Sequence, residues 1–203
     1  MALDTVKFIK KLVDEGYSHL CVVPCSFAKN VINESINNNK IQYVPCASEA
    51  VACSIAAGLK MVGKKPIIIV QSSGMTNMGS CITSLLKPYN ITLPILTSWR
   101  TYNKGDSEIQ HQHLATKLPK LIEAYGYIHT ILNQNSLKSS IDQINTCDST
   151  FTIGIIKKDT FTKVELYDEN KLNLSGYIQR SKFLLRLNEK FKGSGTIFIG
   201  TTG

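Results

Sequence analysis

Apolar and polar positions follow two rhythms along this chain. In DTVKFIKKLVDEG the apolar residues Val6, Phe8, Ile9, Leu12 and Val13 recur at helical spacing, and Gly16 closes the run. SHLCVVPC and IQYVPCA are short, nearly continuous apolar stretches that predict buried strands. A second helix is predicted from Ser48 to about Met61, and KKPIIIVQSSG predicts a strand running into a glycine turn. TNMGSCITSLLKPY then predicts a helix stopped by Pro88, and TLPILTSWR a strand. HLATKLPKLIEAYG predicts a helix with Pro119 near its start. YIHTIL and TFTIGIIK predict strands on either side of the helix SLKSSIDQINTC. Strands and helices alternate almost throughout, and the strands are apolar on both faces. The expected fold is α/β, a mostly parallel sheet with helices on both faces.

After Lys158 the rhythm changes. The polar, irregular stretch DTFTKVELYDENKLNLSG predicts a linker over 159–175 between a first domain at 1–158 and a further piece at 176–203. That piece has one amphipathic helix, YIQRSKFLLRLNEKFKG, and one strand, GTIFIGTTG, and is expected to be the start of an incomplete second domain.

Composition narrows the class. The chain has 203 residues, 43% of them hydrophobic, which suits one domain with a substantial core. The net charge is +8, but its carriers are scattered. The densest group, Arg180 to Lys192, has the spacing of a solvated helix face, so nucleic acid is not an expected partner, whereas small anionic substrates suit the charge. No secretory leader and no stretch of membrane-spanning length is visible, so neither a membrane nor export is expected. The six cysteines form no CxxC pair and no Cys/His finger spacing. They read as reduced, mostly buried thiols of a cytoplasmic protein.

In open parallel sheets ligands bind beyond the C-terminal ends of the strands. The residues there are PCSF, CASE, QSSGMTN and SWRTYNKGDSEIQHQH. Ser48 is a candidate N-cap, which sets Glu49 in the first turn of an unusually apolar helix. An acid there complements the helix dipole, or it lies in a cleft with a partner; spacing alone leaves both open. Gly74 offers a tight turn or close approach to a ligand, and Thr76 or Asn77 a cap. Arg100 is suited to hold a carboxylate or phosphonate, or forms an ordinary ion pair. His111 reads as an acid/base or substrate-contact group, or as a structural histidine. His111 and His113 lack the partners of a metal site, and Cys25 lacks an identifiable activating base.

Taken together and in order, VVPCS, SEAVACSIAAGLKMVGKKPIIIVQSSGMTN, SLLKPYNITLPILTSWR and EIQHQH resemble the pyrimidine-binding domain of the phosphonopyruvate decarboxylases and sulfopyruvate decarboxylase alpha subunits, which use thiamine diphosphate. The resemblance covers about residues 17–126. It implies that Glu49 hydrogen-bonds N1′ of the cofactor's aminopyrimidine and thereby promotes loss of the thiazolium C2 proton. It also implies that Pro24, Gln71, Gly74, Met75 and Asn77 line the aminopyrimidine pocket. Ser26, Arg100, Gln110 and His111 would face the anionic end of a 2-oxo acid, most directly 3-phosphonopyruvate, with His111 as a second catalytic group. Sulfopyruvate is the alternative substrate, and a non-catalytic module of the same fold the alternative role. The family pattern reads QNSGxGN, WRG and EPQH where this chain has QSSGMTN, WRT and EIQH. The diphosphate and Mg2+ motif of the superfamily is not found here, so its ligands are expected on a missing domain or a partner chain. A homo-oligomer or a complementary subunit follows as the expected assembly.

Overall fold

The computed structural model describes residues 2–103, 108–167 and 176–198. The chain divides into two compact units, Met1–Tyr167 and Asp168–Gly203. The first holds six parallel strands: β1 (His19–Val22), β2 (Gln42–Pro45), β3 (Pro66–Gln71), β4 (Ile95–Ser98), β5 (Ile128–Ile131) and β6 (Thr152–Ile156). Their order is β2-β1-β3-β4-β6-β5. The helices are α1 (Thr5–Asp14), α2 (Lys29–Asn37), α3 (Glu49–Met61), α4 (Gly79–Cys81), α5 (Ile109–Ala115), α6 (Leu118–Ala124) and α7 (Leu137–Ser149). The expected α/β architecture is what the chain forms.

Side chains leave the strands alternately, so the sheet feeds two cores. Cys21, Ile68, Val70, Ile95, Ile153 and Ile155 pack with Ala52 and Ala56 of α3 and Leu118 and Ile122 of α6. Leu20, Val22, Ile67, Ile69, Leu96 and Ile156 pack on the other face with Phe8 and Leu12 of α1, Val31 of α2 and Ile144 of α7. Each fully buried aliphatic side chain contributes roughly 1.5–3 kcal/mol. All six cysteines are free thiols, and burial pushes Cys21 and Cys147 up to about 12.

Several elements differ from the reading of the sequence. The stretch TNMGSCITSLLKPY is not one regular helix. A 3-10 segment, Ser72–Met78, leads into α4 and then a π turn over Ile82–Leu86. The π turn is closed by Lys87 N–H donating to Ile82 O at 3.0 Å, and Ile82 and Leu86 are both buried in the core. The predicted helix around Pro119 is two helices. Pro119 has no N–H for the carbonyl of Ala115, and Trp99 Nε1 donates to that carbonyl at 2.8 Å instead. Residues 26–37, unassigned from the sequence, form a 3-10 turn (Ser26–Ala28) and α2.

Residues 159–167, expected as the first half of a linker, are laid along α1 and α2. Asn30, Asn33 and Asn37 stand about one helical turn apart on α2 and grip the backbone of this strap. Asn30 Nδ2 donates to Phe161 O at 3.3 Å, Asn33 Nδ2 to Val164 O at 2.7 Å and Asn37 Nδ2 to Glu165 O at 2.8 Å. On its other side the strap pairs Phe161 with Leu3 and Thr162 with Thr5. Residues 168–175, the rest of the expected linker, lie outside the described residues.

The second unit contains α8 (Arg180–Lys190). Residues 196–198 of the expected final strand are not in strand conformation, and 199–203 lie outside the described residues. A lone strand without a neighbour has no ladder to hold it.

Asn33→Ala removes a 2.7 Å bond from a largely buried side chain. Urea unfolding is expected to show a loss of about 1–3 kcal/mol. An unchanged midpoint would mean the strap does not stabilise the domain.

Candidate active site

The chain runs β1 to β2 in one direction and then returns across β1 to β3, so the sheet reverses between β1 and β3. Crevices for ligands open at such a reversal, beyond the carboxyl ends of the strands. Because every strand is parallel, the segments after β1, β2, β3 and β4 all emerge on that edge.

Glu49 is the first residue of α3. Ser48 caps the helix, with φ −155° and ψ 166°, and its hydroxyl accepts from Val51 N–H at 3.3 Å. The Glu49 side chain is buried, with 6% of the residue exposed. Asn77, on the turn after β3, donates from Nδ2 to Glu49 Oε2 at 2.8 Å. Oε1 makes no hydrogen bond among the described residues. Gly74 lies directly against this carboxylate: a Cβ added there would fall 2.5 Å from both Cδ and Cγ of Glu49. The turn is held from behind by Tyr125, whose hydroxyl donates to Met75 O at 3.4 Å. Gln71 ends β3 immediately before the turn, and Met75 is wholly buried in the core beneath it. Pro24 is exposed beyond β1, next to Cys25, whose thiol donates to Ser98 Oγ at 3.0 Å and ties that loop to the end of β4.

A second cluster gathers around Arg100, which is 7% exposed. Its Nη1 donates to Ser26 Oγ, its Nη2 pairs with Glu108, and its guanidinium lies 4.4 Å from the ring centroid of Phe27. His111, on α5, is also 7% exposed, and its Nε2 is 4.0 Å from Glu108 Oε2. Two buried atoms here have no partner, Arg100 Nε and His111 Nδ1. The Ser72 hydroxyl, at the start of the turn beside Gly74, is a third. Gln110, one residue before His111, is exposed. Thus Glu49, Gly74 and Asn77 come together at one point, Ser26, Arg100 and His111 at another, and Gln110 at neither.

Glu108 is the member not singled out from the sequence. Acidic residues in mixed-charge loops are common, and only its place in EIQH marked it. Thr101 helps to hold it, with its hydroxyl donating to Glu108 O at 3.3 Å. Thr101 has φ +54°, a left-handed backbone that glycine adopts without strain. This accounts for what the WRT departure costs locally. Residues 104–107 of the same stretch lie outside the described residues.

The geometry defines an α/β domain with a buried carboxylate and a buried guanidinium on the ligand edge of its sheet. Residues 6–119 match the family described as thiamine pyrophosphate enzyme, N-terminal TPP binding domain. The chain belongs to that family. Sulfopyruvate decarboxylase of Methanosarcina acetivorans is 30% identical over 128 residues, covering 63% of this chain and 32% of that one. Phosphonopyruvate decarboxylase of Streptomyces viridochromogenes is 34% identical, covering 51% of this chain and 26% of that one. Sulfopyruvate decarboxylase subunit alpha of Methanococcus maripaludis is 32% identical, covering 45% of this chain and 54% of that one. The matches thus take in between 26% and 54% of the length of these relatives. The fold is similar to that of the thiamine diphosphate-dependent 4-hydroxybenzoylformate decarboxylase of Rhodococcus jostii RHA1, with a TM-score of 0.55 at 12% identity, over 92% of this chain and 37% of that one.

Gly74→Ala is expected to push the Glu49 carboxylate out of its place. Van der Waals overlap with a buried group costs about 1–3 kcal/mol, and thermal unfolding should show a lowered midpoint. A wild-type midpoint would mean the contact is loose.

Proposed function

We propose that this chain supplies the aminopyrimidine side of a thiamine diphosphate site in a decarboxylase of a 2-oxo acid with an anionic C3 group, most directly 3-phosphonopyruvate giving phosphonoacetaldehyde. One observation carries the reading: a buried carboxylate at a helix start, with one oxygen bonded to Asn77 and the other without a bond, against a glycine that leaves it room. That arrangement fits a ligand that offers a ring nitrogen to Glu49. The unpartnered Ser72 hydroxyl on the same turn fits a polar ligand as well.

When bound, the cofactor supplies the electron sink for loss of CO2. The chain's own residues bind and orient. Glu49 presents Oε1 to the pyrimidine nitrogen, and Asn77 fixes the other oxygen so that the carboxyl cannot rotate away. Pro24 and Gln71 border the same edge of the sheet, and Met75 supports the turn from the core. Ser26, Arg100 and His111 receive the anionic end of the substrate, and His111 is available for proton transfer through Nδ1. Gln110 would have to turn inward to join them.

Sulfopyruvate is the second reading, supported by the relatives of that name. Among the described residues no cluster of His, Cys, Asp and Glu is arranged to hold a metal ion. In this proposal the Mg2+ and diphosphate contacts belong to another domain or subunit. The relatives called subunit alpha favour such a partner. So does α3, whose outer face carries exposed Val51 and Ile55, with Met61 at its end and Val62 just beyond; exposed apolar stripes of this kind mark contact surfaces. No helix among the described residues is long and apolar enough to cross a membrane.

In the assembled enzyme, Glu49→Gln should lower CO2 release from 3-phosphonopyruvate by at least about 100-fold, the scale of a lost acid/base group. Activity at the wild-type level would remove Glu49 from the mechanism. Turnover of neither 3-phosphonopyruvate nor 3-sulfopyruvate by the wild type would favour a non-catalytic module.

A further inference from the structure

The Arg100 cluster contains a negative charge where an anion is supposed to bind. Glu108 pairs with Nη2 of a guanidinium that is itself buried, while Ser26 takes Nη1. The pair is formally neutral. The atoms left without partners are Arg100 Nε and His111 Nδ1, and the carboxylate of Glu108 reaches toward both residues, with Oε2 4.0 Å from His111 Nε2. Its backbone is anchored as well: its carbonyl accepts from His111 N–H at 3.0 Å and from the Thr101 hydroxyl. Holding Thr101 at φ +54° opposes the usual preference of a β-branched residue. Glu108 is therefore a fixed part of the subsite and not a side chain passing through it.

A site of this kind presents a substrate tail with a donor from Arg100 and, beside it, an acceptor. A sulfonate has three acceptor oxygens and carries no proton near neutral pH, so it meets the Glu108 carboxylate as acceptor against acceptor. A phosphonate in its singly protonated form differs by one feature: it carries a P–OH. That hydroxyl can donate to Glu108 while the remaining oxygens accept from Arg100. Hydrogen bonds with a charged partner are the strong ones.

We propose that Glu108 is the specificity-determining residue of this subsite, selecting a protonated phosphonate tail over a sulfonate. This rests on the reading of Ser26, Arg100 and His111 as the tail-binding group.

The test uses two unreactive probes, 3-phosphonopropionate and 3-sulfopropionate, titrated by calorimetry into the assembled protein and into its Glu108→Gln and Glu108→Ala variants. Glu108 is 39% exposed at its side chain, so the isosteric glutamine disturbs little else. The wild type should bind the phosphonate more tightly. In Glu108→Gln the amide offers a donor, and the phosphonate-to-sulfonate affinity ratio should fall by about tenfold to 100-fold, the worth of one hydrogen bond to a charged group. In Glu108→Ala the ratio should also fall, because Arg100 is freed for either anion. The kcat/KM ratio for 3-phosphonopyruvate and 3-sulfopyruvate should follow the same order, with the change in KM. Equal gains for both probes in the variants, leaving the ratio within twofold of wild type, would overturn the role of Glu108 alone and make it a simple competitor for Arg100. Failure of both probes to bind the wild type would overturn the tail-binding reading and this inference with it.

Discussion

The contact between the Glu49 carboxylate, the Asn77 amide and the bare backbone of Gly74 is the constraint around which this domain is arranged. A carboxylate withdrawn from water needs donors and space. Ser48 starts α3 at the right residue, and the turn after β3 brings both the donor and the missing Cβ. That turn is not a regular helix because it has to present Gly74 and Asn77 to Glu49 and still return Met75 and Met78 to the core. The 3-10 and π segments on either side of α4 take up the difference.

The parallel sheet supplies the rigidity. Four strand ends on one edge carry the carboxylate cluster and the guanidinium cluster, and the Cys25 to Ser98 bond links the loop after β1 to the end of β4. The two clusters divide the proposed work between a cofactor ring and an anionic tail. Behind the sheet, the asparagines of α2 clamp the strap 159–167 and so close the first unit onto its own N-terminus.

Much of this was legible in the sequence. The strands were legible because a sheet buried on both faces demands unbroken apolar runs such as PIIIV, and α3 was legible from Ser48 and the alanines behind it. The position of Glu49 was legible, but its partner was not, since Asn77 is distant in sequence and serves equally well as a cap. α2 was obscured by the asparagines that bind the strap, because that residue type usually signals a turn. The break at Pro119 is local in origin, but the Trp99 indole that takes up the freed Ala115 carbonyl is brought there by the fold, as is Tyr125 against Gly79, and no local pattern reveals either contact. Glu108 was hidden for the same reason: its importance comes from a guanidinium eight residues away in sequence, brought against it by the loop.

A crystal structure of the assembled protein with thiamine diphosphate bound tests the role of Glu49 without intermediaries. A Glu49 carboxyl oxygen is expected within about 3 Å of a pyrimidine ring nitrogen, a hydrogen-bond distance, with Asn77 still bonded to the other oxygen. A pyrimidine ring held elsewhere, or Glu49 turned away from it, would rule that role out.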